Sequence, residues 1–312
     1  MKKFKIVALI MAAMILAACT AGKLEEAEIE EKVFLPEAGI SMSGTVPGWV
    51  FSLEMKNLEK GDQIRIETDM VHMQTFFRMT EDEDVWNRIF AVDTLNSGKK
   101  GTFIVNVKRD GRNIFRKKLD IGFSDRNFSS QELRISQSLL ERRIEGLSKG
   151  GEKLRMTLAK SVRSDEIYWD EQFLMPVEGR LSTPFGARRT LNGGYGYIHS
   201  GIDLANKLGT PIKAANSGKV VLSEIQSLTG NTIVIDHGRG LLTTYVHLET
   251  MSVEKGDFVN RGQQIGTMGS TGFSTGSHLH FETQLMGVYV DPYILAEKSL
   301  ELREYMEREE WK

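Results

Sequence analysis

The chain of 312 residues carries 40 Lys and Arg against 42 Asp and Glu, a formal charge of −2, and so lacks the basic excess that a general nucleic-acid binder needs. Hydrophobic residues make up 40% of it, enough to bury the cores of about two domains of ordinary size. Its one cysteine excludes an intrachain disulfide.

Lys2, Lys3 and Lys5 precede an apolar run from Ile6 to Ala18, the charged n-region and short h-region of an export signal. The run is too short to span a bilayer comfortably. It ends in Leu16-Ala17-Ala18-Cys19, which resembles a lipobox, where a bacterial lipoprotein is acylated on cysteine and cleaved before it. Residues 1–18 then read as a signal peptide, and Cys19 as the lipidation site through which the chain meets the membrane. One acyl chain holds only marginally, whereas two or more anchor stably. The expected location is exported and lipid-anchored. Thr20, which lacks an acidic retention signal, favours the periplasmic face of the outer membrane in a double-membraned cell. The outer face of the cytoplasmic membrane is expected otherwise. Residues 19–33, rich in Glu and Lys, suit a solvated tether.

From 34 to 128 the pattern is that of strands. Trp49, Phe51, Leu53 and Met55 alternate with neighbours of the other parity, and Phe103, Val105 and Val107 do the same before Asp110-Gly111, a hairpin turn signal. The expectation is a small β-sandwich. Residues 129–168 read as a helical linker: Ser129-Ser130-Gln131-Glu132 matches a capping box, Leu133, Leu140, Ile144 and Leu147 recur at helical spacing, and a second helical stretch follows Gly150-Gly151. Its position beside the next segment raises autoinhibition as a hypothesis.

The chemistry concentrates further on, in His199-Ser200-Gly201-Ile202-Asp203 and His278-Leu279-His280. Residues i and i+2 of a strand share a face, so His278 and His280 can look into one cavity. The i, i+4 spacing of His199 and Asp203 fits a helix face or a strand. Gly201 and β-branched Ile202 favour the strand. Two imidazoles and one carboxylate can hold a zinc ion with one position left for water.

With these motifs the chain resembles the M23 peptidases, lysostaphin-type or LytM-like zinc endopeptidases of bacterial cell walls. The likeness runs over roughly residues 176–296, from Pro176-Val177-Glu178-Gly179-Arg180 through Gly209-Thr210-Pro211, Ile235-Asp236-His237-Gly238 and Tyr245-Val246-His247-Leu248 to Gly276-Ser277-His278-Leu279-His280-Phe281. It implies a mainly β protein in which an antiparallel β lysostaphin-type peptidase domain, 169–296, follows the N-terminal domain and linker. It also implies one zinc ion per chain held by His199, Asp203 and His280. His278 then takes the general-base role, and His247 steadies the oxyanion or its water. The implied function is hydrolysis of peptide crosslinks in peptidoglycan by metal-activated water.

Lone histidines are more often packed than catalytic, which is the reading for His72 and His237. Tyr195, Tyr197, Asn192 and Arg189, just ahead of the first motif, are candidate groove residues. Residues 176–296 hold nine basic and nine acidic side chains, so recognition rests on groove shape rather than on a single-sign field. A catalytically silent wall-binding module that activates another hydrolase is the leading rival. A structural lipoprotein and removal of a terminal D-amino acid stand behind it. A regulatory protein partner fits either leading reading. The tail, 297–312, reads as a charged helix anchored by Leu300, Tyr305 and Trp311.

Overall fold

The structure, a computed structural model, describes residues 36–40, 47–59, 61–70, 74, 75 and 85–307. Cys19 with its signal and tether, His72 and Trp311 lie outside the described residues, as does the side chain of Tyr305. At the Asp110-Gly111 turn both residues are left-handed, with φ of 49° and 76°, as a two-residue hairpin requires. They join Lys100–Arg109 to Arg112–Gly122, and Gln63–Thr68 completes that three-stranded sheet. A second sheet runs in the order Glu37–Ile40, Val50–Lys56, Val85–Ala91, Gln74–Thr75. Phe51 and Phe90 of this sheet meet Phe103 of the first edge-on, with centroids 5.6 and 5.0 Å apart. Trp49, Leu53, Met55, Val105 and Val107 are buried around them, closing the expected sandwich.

The linker departs from its sequence reading at its first turn. The capping-box match starts no helix: Ser130–Leu133 is a strand, paired in parallel with Arg188–Leu191. Pairing to that strand satisfies backbone groups of Ser130–Leu133 directly. Helix α1, Gln137–Ser148, is capped instead by Ser136, whose hydroxyl accepts from Leu139 N–H at 3.3 Å. Ile144 and Leu147 are 59% and 52% exposed, so the helical spacing there marks no core face. Gly146, the buried residue of α1, packs on Leu228. Helix α2, Gly150–Lys160, follows at once.

The remaining chain builds a ten-stranded sheet. Its main path is Phe258–Val259, Gly218–Gln226, Gly230–Asp236, Leu241–Met251, His278–Leu285, Ile202–Ala205 and Arg180–Thr183, all neighbours antiparallel. Ile202, Leu204, Ile233, Ile235, Tyr245, Leu279 and Phe281 fill its core. Helix α3, Pro292–Glu307, closes the fold. Leu295, Leu302 and Met306 are buried apolar residues of this helix, spaced seven and four apart on a stripe that Ser299 shares. Leu300 falls off that stripe and is 46% exposed, so it is not the expected anchor. Among the described residues no helix is long and apolar enough to cross a membrane.

Candidate metal centre and hydrolytic site

Strand register brings the first residues together. In the pairing of Ile202–Ala205 with His278–Leu285, Asp203 stands opposite His280, and directly opposed residues share a face. His199 arrives from the segment just before the Ile202–Ala205 strand. Gly201 lets that segment lie against its neighbour, because a Cβ there would collide with the Phe281 carbonyl oxygen. The donor atoms converge: His199 Nε2 lies 3.0 Å from Asp203 Oδ1 and 2.9 Å from His280 Nδ1, and His280 Nδ1 lies 2.8 Å from Asp203 Oδ1. Among the described residues this trio is the cluster able to hold a metal ion.

The other atom of each ring decides what faces the centre. His199 Nδ1 lies 3.0 Å from the Pro184 carbonyl oxygen, which can only accept, so that nitrogen carries the proton. His280 Nε2 lies 3.2 Å from Glu282 Oε1 and donates in the same way. In the neutral tautomers so fixed, two imidazole lone pairs and a carboxylate oxygen point at one another with no proton between them. A divalent cation resolves that conflict. The mutual distances fall just inside the roughly 3.3 Å that separates donors about 2.05 Å from a tetrahedral ion. An imidazole N–H given to a carbonyl or carboxylate is the usual support of a metal-binding histidine. The residues fit the group.

Electrostatics agree. Burial lowers the pKa of His280, but Asp203 and Glu282 on either side outweigh it and raise the value to about 9: the pocket stabilises positive charge. Burial also opposes ionisation of Asp203, yet the adjoining His199 and His280 rings hold the carboxyl well below the usual range. Asp203 Oδ2 accepts from Arg189 Nη2 at 2.6 Å, and Arg189 Nε donates to Gln131 Oε1 at 3.2 Å. Arg189 therefore orients Asp203 from behind as well as lining the groove.

Two further imidazoles stand beside the trio. His278 Nδ1 donates to the Gly276 carbonyl at 2.8 Å, and its Nε2 sits 3.8 Å from Asp203 Oδ1. His247 Nδ1 donates to the Thr271 carbonyl at 2.8 Å, and its ring lies 4.8 Å from that of His278. Burial, then the neighbouring His278 and His280, lower its pKa to about 3. In the neutral tautomers these bonds select, both rings present the Nε2 lone pair. His247 has φ of 66° in the middle of Leu241–Met251, a backbone state rare outside glycine.

All five residues border one cavity of about 830 Å3, which Arg189 and Tyr197 also line. Tyr195 is 64% exposed beneath the Arg143 guanidinium, 5.8 Å from its ring. Asn192 joins the linker instead: its amide brackets the Ile135 backbone, accepting at 2.9 Å and donating at 3.1 Å. His237 is buried, its Nδ1 on the Ser217 carbonyl and its Nε2 on Thr243, both at 2.8 Å, a packing role. Sequence reading missed Glu282, which parity places on the face of His278 and His280, and it missed Lys160 and Arg143, which reach the cavity from the linker.

Residues 197–292 match the family model described as peptidase family M23. The chain is 44% identical over 89 residues to the peptidoglycan DD-endopeptidase ShyA of Vibrio cholerae serotype O1, covering 28% of this chain and 21% of ShyA. It is 38% identical over 122 residues to the lipoprotein YgeR of Escherichia coli K12, covering 38% of this chain and 45% of YgeR. The chain thus spans less than half the length of these curated relatives. A crystal structure of a peptidase M23 from Pseudomonas aeruginosa superposes with a TM-score of 0.53 at 27% identity, covering 81% of this chain and 95% of that one.

Proposed function

Residues 197–292 are a peptidase family M23 domain, and from that premise we propose that the chain is a zinc-dependent endopeptidase cutting peptide crosslinks of bacterial peptidoglycan. One observation carries the reading: three donor atoms, from His199, Asp203 and His280, converge within 3.0 Å, with two more imidazoles on the same cavity. A silent wall-binding module has no use for that set of five. The named activity of ShyA supports the substrate class.

His199, Asp203 and His280 would hold the cation, which when bound supplies Lewis acidity to the scissile carbonyl and lowers the pKa of its water. His278 Nε2 takes the proton as water oxygen bonds to the carbonyl carbon, then returns it to the amine nitrogen as the carbon–nitrogen bond breaks. His247, held neutral, accepts a hydrogen bond from the water and so fixes its approach. It has no N–H to offer an oxyanion, because Nδ1–H is committed to Thr271. Tyr197 and Arg189 border the path of the peptide. Lipidation of Cys19 would keep the enzyme at a membrane surface within reach of the wall.

The test is mass spectrometry of crosslinked peptidoglycan incubated with the zinc-loaded chain. Wild type converts crosslinked dimers to monomers, and the new termini identify the bond, separating endopeptidase action from removal of a terminal D-amino acid. His278→Ala retains about one zinc and loses turnover by about 100-fold or more, whereas His280→Ala loses both. An unchanged wall profile with wild type, alongside retained wall binding, would establish the silent-module reading instead.

A further inference from the structure

Lys160 ends helix α2, outside the family-matched segment, yet its side chain is only 15% exposed. Its ammonium donates to Glu282 Oε2 at 2.5 Å and to the Tyr289 hydroxyl at 3.2 Å, and it sits 5.2 Å from the Tyr289 ring centroid. The other oxygen of Glu282 accepts from the Ser200 hydroxyl at 2.5 Å and from His280 Nε2 at 3.2 Å. Glu282 is thus a buried carboxylate with one oxygen on the linker's cation and one on the ring of a candidate metal ligand.

We propose that Lys160 is a positioning residue for His280, acting through the Glu282 carboxylate. The inference rests on the reading of His199, Asp203 and His280 as the metal ligands. A carboxylate this deep is stable only with a counter-charge, and Lys160 supplies it from an element that is not part of the peptidase sheet. With Oε2 held by Lys160, Oε1 stays aimed at His280 and fixes the tautomer that leaves Nδ1 free for the metal. Without Lys160 the Glu282 carboxylate loses its hold at Oε2, and the His280 ring loses its fixed orientation. Docking of α2 is on this account part of metal-site assembly.

The experiment compares zinc affinity, by chelator competition at pH 7.5, and the absorption bands of the cobalt-loaded protein. It uses the full chain as wild type, K160M, K160R, E282Q, the K160M/E282Q double variant and H280A. Supporting partners of metal ligands are worth 10- to 100-fold in affinity. K160M is expected to weaken zinc binding about 10-fold and shift the cobalt bands, while K160R stays within about 3-fold of wild type. In the E282Q background, where removing Lys160 strands no carboxylate, K160M should cost less than about 2-fold more, the signature of action through Glu282. Wild-type affinity in K160M would overturn the proposal, as would an equal loss in both backgrounds. Wild-type affinity in H280A would instead overturn the ligand assignment itself.

Discussion

At His247 the Leu241–Met251 strand breaks its own alternation. Val246 stands opposite His280 in the register and lines the cavity. The next residue of a regular strand would face away. The left-handed backbone at His247 turns its ring back, so that consecutive residues border one groove. A non-glycine residue in that state costs about 1–2 kcal/mol, and such strain gathers at functional sites. His247→Gly and His247→Ala both remove the imidazole and should both abolish turnover. The glycine variant should nevertheless unfold at higher urea, by about 1 kcal/mol, because only the alanine retains the strain. Equal stability would mean that this backbone is relaxed. Strand parity made His278 and His280 legible together and the i, i+4 spacing linked His199 to Asp203, whereas His247 could be singled out only through the Tyr245-Val246-His247-Leu248 resemblance, since no period predicts a kink. Glu282 was available from the same parity as His280. Lys160 was not, because nothing local marks a lysine that pairs 122 residues away.

Elements were legible where the signal was local. The Asp110-Gly111 turn and the Phe103, Val105, Val107 alternation gave the first hairpin correctly, because turn residues and parity act within the segment itself. The capping-box match at 129–132 failed because the segment's partner is an edge distant in sequence, Arg188–Leu191, and local propensity cannot report a distant edge. Gly201 shows how tightly two elements of the site depend on each other. A methyl there would meet the Phe281 carbonyl and come within 3.1 Å of the Glu282 Cα, so Gly201→Ala must push Ile202–Ala205 off His278–Leu285 and part Asp203 from His280. We expect a loss of about 2 kcal/mol, in the range of overpacked cores, together with zinc affinity weakened by more than about 10-fold. Gly276→Ala is the matched control, since a Cβ there meets nothing within 4 Å. It should stay within about 0.5 kcal/mol of wild type. Urea unfolding and chelator competition on the two variants decide the matter, and similar behaviour of both would refute the argument from close approach.

Acid stability belongs to the whole molecule, and His237 ties several of its segments together. The ring packs edge-on against Phe173 at 4.9 Å and bonds Ser217 and Thr243, while the neighbouring Gly238 bridges to Ile167. Because Nδ1–H goes to the Ser217 carbonyl, Nε2 accepts from the Thr243 hydroxyl, and a second proton would have to reverse that bond and leave a charge buried in the core. Burial, only partly offset by the Ser217 carbonyl, lowers the pKa of His237 to about 4. An unfolded chain takes up this proton near pH 6.5, so between about 6.5 and 4 it binds a proton that the native state refuses. Stability from this residue is therefore complete above pH 6.5 and is lost as pH falls toward 4, amounting to on the order of 3 kcal/mol. His247, lowered to about 3 by burial and its neighbouring histidines, adds a slope of the same sign that is common to any variant at 237. His237→Gln can donate and accept but cannot titrate. It should be less stable than wild type at pH 7, yet lose less on going to pH 5, when urea midpoints are compared with a chelator present to silence metal linkage. Parallel losses in the two proteins would place the acid sensitivity elsewhere and make His237 a packing residue that is free to carry charge.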